Sequence, residues 1–151
     1  MYFDHRLCFF QLDVENQDQL LDKMCSKLYS EGFVKDTYVG ALKEREKEYP
    51  TGILFENTGF AIPHTDSKHV NQSQICFASL KKPIVFKDMT NKENEISVEL
   101  VFMLAMSQPH EQVDTLQNLM MLFQDVNAVE KLKQCTDEET FSEILKSANV
   151  Y

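Results

Sequence analysis

Residues 98–105, VELVFMLA, form an apolar run interrupted only by Glu99. The run does not alternate in and out as a half-solvated strand does, and it falls far short of the roughly 18–20 residues that cross a bilayer. It reads as a central strand buried on both faces, so the remaining elements must cover a sheet from above and below.

The flanking segments supply those elements. LCFFQL, residues 7–12, reads as a first strand. A helix opens at Glu15 or Asn16 and runs to about Ser30, with Leu20, Leu21, Met24 and Leu28 at helical spacing and Gly32 as its stop. A second helix is expected from an Asp36 N-cap to Glu48, closed by Pro50, with Thr51-Gly52 as a turn. Short β-branched or aromatic runs follow: ILF, GFAI, QICFASL, PIVF and EISVELVFMLA. After Pro109 the spacing of Val113, Leu116, Leu119, Met120 and Phe123 predicts a helix, followed by another near 126–134. A third is expected from Thr136, where Thr136-x-x-Glu139 matches a capping box. The expected fold is α/β: one domain over residues 1–151, a mixed central sheet flanked by helices on both faces, with strand order left open.

Several functions are disfavoured at this stage. A net charge of -9 argues against a nucleic-acid binder, which needs a basic face. Cys8, Cys25, Cys76 and Cys135 form no CxxC pair and read as buried free thiols, with neither a zinc site nor a redox pair signalled. There is no GxxxxGK[ST] phosphate loop and no GxSxG nucleophile elbow. No signal peptide or long apolar segment is seen, which places the expected location in the cytoplasm.

One short stretch points to chemistry. In GFAIPHTDSKHV, residues 59–70, Pro63 fixes φ and biases Ile62 towards an extended conformation, so His64 begins a loop at a strand end. There the backbone is held by the sheet while the imidazole can face solvent. Thr65, Asp66 and Ser67 can turn N–H groups or hydroxyls towards an anion beside the ring. Either a structural or a nucleophilic histidine fits these residues alone. Arg45 reads as a solvated helix arginine paired with Glu44, Glu46 or Glu48, or as an anion clamp. His110, just past Pro109, sits where a helix N-terminus favours anions, or is a plain helix-start residue. His69 has a loop role, since its spacing from His64 fits no helix face for a metal, and His5 has no functional signal. Met103, Met106, Met120 and Met121 read as core, or as an apolar rim around the histidine.

The segment GFAIPHTDSKHV, with LKEREKEYPTGI upstream and PHEQVDTLQNLMMLF downstream, resembles the type-2 EIIA family of the sugar phosphotransferase system over about residues 5–148. IPHTDSKHV looks most like the galactitol branch, although Thr65 stands where many members have Gly. The resemblance implies a phosphocarrier. His64 would take a phosphoryl group from phospho-HPr and pass it to a cysteine of an EIIB protein, with Arg45 stabilising the group and His110 hydrogen-bonding nearby. No cofactor or metal is implied, and the membrane is reached only indirectly, through the EIIC transporter. A regulatory, nitrogen-type member of the same fold would keep the same residues. A histidine-dependent hydrolase is a distant third reading. The sugar and the oligomeric state are left open.

Overall fold

A computed structural model describes residues 2, 3 and 7–148 of the chain. The strands are β1 (Cys8–Leu12), β2 (Gly52–Phe55), β3 (Thr58–Ala61), β4 (Gln74–Lys87) and β5 (Glu95–Ala105). The helices are α1 (Gln17–Ser30), α2 (Tyr38–Glu48), α3 (Pro109–Phe123), α4 (Val126–Gln134) and α5 (Glu138–Ser147), and a short 3-10 turn spans Ser67–His69.

The sheet order β1-β4-β5-β3-β2 places β5 in the middle, as its unbroken apolar run requires. The sheet is mixed: β1 with β4 and β3 with β5 are parallel, while β4–β5 and β2–β3 are antiparallel. Two cores result. Val98, Val101, Met103 and Ala105 of β5 join Leu20, Met24 and Leu28 of α1 and Tyr38 and Leu42 of α2. Leu100, Phe102 and Leu104 join Leu119 and Phe123 of α3, Leu132 of α4 and Phe141 of α5. The phase of β5 shifts near Glu99, because β3 pairs Gly59 with Val98 but Phe60 with Leu100. The extra residue is a bulge that turns Glu99 out of the core to an ion pair with Lys133 at 3.1 Å.

Several boundaries differ from expectation. QICFASL and PIVF are one strand, β4, whose register shifts between Ser79 and Ile84; Pro83 lies in that shift, exposed, where no ladder donor is required. Thr51-Gly52 is not a turn. Gly52 opens β2 because a Cβ there would lie 2.5 Å from the Lys87 carbonyl oxygen, and the turn falls at Glu56-Asn57, with Glu56 at φ 54°. The N-cap of α2 is Thr37, not Asp36; its backbone is already helical, so its hydroxyl makes no cap bond and meets His69 Nδ1 at 2.7 Å. Asp137, not Thr136, caps α5, its carboxylate accepting from the Thr140 N–H at 2.7 Å and the Thr140 hydroxyl at 3.0 Å.

Candidate functional site

β3 does not release the chain at Ala61. The Leu104 N–H donates to the Pro63 carbonyl at 2.9 Å, and His64 pairs with Leu104 as an isolated parallel bridge. Sheet pairing therefore carries His64 to the rim of the fold. Its ring is more enclosed than the sequence implies, with 9 % of the residue exposed. Nδ1 lies 2.7 Å from the Ile62 carbonyl oxygen, which can only accept, so Nδ1 carries the proton. Nε2 is then the lone-pair nitrogen, without a hydrogen-bond partner among the described residues.

His64 lines a cavity of about 360 Å³ shared with Arg45, Glu48, Tyr49, Thr51 and the β4–β5 loop residues Thr90 and Lys92. Burial holds the His64 pKa below its ordinary value; the Ile62 bond opposes this, and the nearby Arg45 charge adds to the lowering. The lowering favours the neutral ring, with its Nε2 lone pair free.

Arg45 is exposed on α2 and forms no ion pair among the described residues. Its guanidinium sits 5.3 Å from the centre of the Tyr49 ring. Of the carboxylates it was expected to meet, Glu44 pairs with Lys47 at 3.5 Å, Glu46 is turned inward onto Thr51, and Glu48 lines the same cavity without forming an ion pair with it. A planar, permanently charged donor thus faces the same cavity as a neutral imidazole, a pair suited to holding a phosphoryl group in line with Nε2.

The other expected residues fall elsewhere. His110 is exposed at the start of α3, just past the end of β5 that pairs with His64, but does not line the cavity or bond to His64. Thr65 is buried, and Asp66 caps the 3-10 turn through the Lys68 N–H at 3.2 Å. Neither they nor Ser67 line the cavity. His69 ties that turn to α2. Met103 and Met106 are core, and the methionine on the cavity wall is Met89. Burial pushes the Cys8 and Cys25 thiols up to about 12, which leaves them poor nucleophiles. His5 lies outside the described residues. Missed in the sequence were Glu46 and the 89–92 loop; a glutamate inside a run of charges on α2 carries no mark of burial.

Over 117 residues the chain is 31 % identical to the galactitol-specific EIIA component of Escherichia coli K12, covering 78 % of this chain and 77 % of that protein. It is 34 % identical over 138 residues to the transcriptional regulator ManR of Bacillus subtilis, covering 89 % of this chain but 20 % of the regulator. The fold matches that of the mannitol enzyme IIA solved in complex with phosphorylated enzyme IIB from Escherichia coli, with a TM-score of 0.78, 20 % identity, and 96 % and 97 % of the two chains covered. The model of the phosphoenolpyruvate-dependent sugar phosphotransferase system EIIA 2 family matches residues 1–148, and the chain belongs to that family of phosphotransferase components.

Proposed function

We propose that His64 is the phosphoryl carrier, accepting from phospho-HPr and delivering to a cysteine of an EIIB protein for sugar uptake. The observation that carries this reading is the fixed tautomer: Nδ1–H is held by Ile62, which leaves the Nε2 lone pair unspent on a ring that shares one cavity with Arg45. In the first step Nε2 attacks phosphorus, and the donor's bond to phosphorus breaks with its electron pair leaving on the donor. In the second a thiolate attacks phosphorus and the Nε2–P bond returns its pair to the ring. The proton stays on Nδ1 throughout, donated to the Ile62 carbonyl oxygen, so no base has to remove it. Arg45 offsets the charge of the phosphoryl oxygens in both steps. His110, just past the end of β5 that pairs with His64, is proposed to approach the phosphoryl group from the α3 side. Similarity to the galactitol EIIA component supports a galactitol-type sugar.

The test is reconstitution with phosphoenolpyruvate, enzyme I, HPr and an EIIB. One acid-labile phosphoryl group should appear on the wild type, none on His64→Ala, and the label should pass to EIIB. A stable phosphate on Ser67 or Thr65 contradicts the reading. The similarity to ManR favours a second reading, in which phosphorylation of His64 regulates another protein; label that loads on His64 yet passes to no EIIB selects it.

A further inference from the structure

Glu46 is buried, 6 % exposed, beside the exposed Arg45 on the same helix. Its two oxygens are both spent on one residue: Oε2 accepts from the Thr51 N–H and Oε1 from the Thr51 hydroxyl, each at 2.8 Å. The Thr51 carbonyl in turn accepts from the Ile62 N–H at 3.4 Å, and the Ile62 carbonyl accepts from His64 Nδ1. At the other end the Tyr49 N–H donates to the Arg45 carbonyl at 2.6 Å, closing the helix. A continuous chain of bonds thus runs from the helix that carries Arg45 to the ring of His64. Tyr49, Pro50 and Thr51, the residues it spans, are cavity wall.

We propose that Glu46 is a positioning residue for phosphoryl transfer: by clamping Thr51 it sets the Arg45 guanidinium and the Nδ1–H tautomer of His64 on one cavity. The proposal rests on the reading of His64 as the phosphoryl acceptor, and it assigns a role to a buried carboxyl that the transfer itself does not use. The clamp acts through geometry rather than charge. A neutral carboxyl, or an amide, keeps both contacts, its carbonyl oxygen accepting from the Thr51 N–H and its O–H or N–H donating to the Thr51 hydroxyl oxygen. Burial pushes the Glu46 pKa up to about 7 against the two Thr51 bonds, so a neutral form is within reach in the cell.

The experiment pairs Glu46→Leu and Glu46→Gln with Thr51→Val. Single-turnover phosphorylation by phospho-HPr is followed below each variant's melting temperature, and ring-nitrogen NMR reads the His64 tautomer. Glu46→Leu should slow transfer at saturating donor by about 10- to 100-fold, the range for a reacting group held slightly out of place, with the donor concentration for half-saturation unchanged. Thr51→Val, which keeps the N–H bond, should fall between, and Glu46→Gln should stay within about threefold of wild type by the same argument. In Glu46→Leu, His64 should show mixed tautomers in place of Nδ1–H. A folded Glu46→Leu with wild-type rate and tautomer overturns the proposal, and so does a Glu46→Gln as slow as Glu46→Leu, which assigns the effect to charge. If Glu46→Leu does not fold, a Thr51→Val of wild-type rate and tautomer overturns it. A wild-type protein that takes no phosphoryl group at His64 refutes the carrier reading instead, and the tautomer spectra still decide the clamp.

Discussion

The Tyr38 hydroxyl donates to the Leu104 carbonyl at 2.6 Å, and Leu104 is the β5 residue that pairs with His64. The first residue of α2 is therefore bonded to the strand end beside the candidate nucleophile, and Arg45 lies further along the same helix. Tyr38 and Leu104 are fully buried, and burial raises the Tyr38 pKa well above its ordinary value, so the phenol remains a donor at any working pH.

Tyr38→Phe should cost about 1–3 kcal/mol, the range for removing one partner of a buried hydrogen bond. Urea titration should show a lower midpoint with an unchanged slope. An unchanged midpoint means the bond is energetically neutral.

Gly59→Ala should be worse. The added Cβ would collide with the Ser97 carbonyl oxygen beside the β5 bulge, backbone that cannot swing aside. Overpacking of this kind costs about 1–3 kcal/mol or more. Since β3 leads directly to His64, phosphoryl acceptance should fall along with thermal stability. A variant with wild-type melting temperature counts against the bulge geometry.

The raised pKa of Glu46 makes stability depend on pH. The folded state holds this proton up to about pH 7, whereas the ordinary value is 4.5. Between those values the folded state binds more protons than the unfolded one, so this group's contribution declines as pH rises from 4.5 to 7 and is level above that. The span corresponds to on the order of 3 kcal/mol. Glu46→Gln should flatten the decline, gaining on wild type between pH 4.5 and pH 7 in chemical denaturation. Parallel pH curves contradict the burial of an ionisable Glu46.

Arg45→Ala should lower the rate of phosphorylation by about 10²- to 10³-fold, the usual loss for one preorganised donor in the transition state. Arg45→Lys should also be impaired, because an ammonium lacks the planar fork. Stopped-flow transfer from phospho-HPr measures both, and wild-type rates in the two variants remove Arg45 from the reaction.

Much of this was legible in the residues because the signals were local. VELVFMLA marked the central strand, and Asn16 capped α1, its side chain accepting from the Gln19 N–H. Gly32, at φ 83°, ended that helix. Pro63 and His64 stood out as a strand end. What escaped depended on contacts distant in sequence or on a side chain's direction. QICFASL and PIVF look separate because Lys81-Lys82-Pro83 interrupts them, yet the bulge carries one strand through. Glu46 and Arg45 are neighbours in a charged run, and only the tertiary fold turns one inward to Thr51 and the other towards the cavity. His110 and His64 come to the same end of the sheet because His64 pairs with Leu104 of β5, a relation that no spacing encodes.

The central claim is that Nε2 of His64 forms the bond to phosphorus because Ile62 holds Nδ1. The most direct measurement is NMR of the phosphorylated, ¹⁵N-labelled protein, which reads phosphorus–nitrogen coupling at each ring nitrogen. Coupling is expected at Nε2 of His64 alone, with Nδ1 still carrying its proton. Coupling at Nδ1, or at any other histidine, contradicts it.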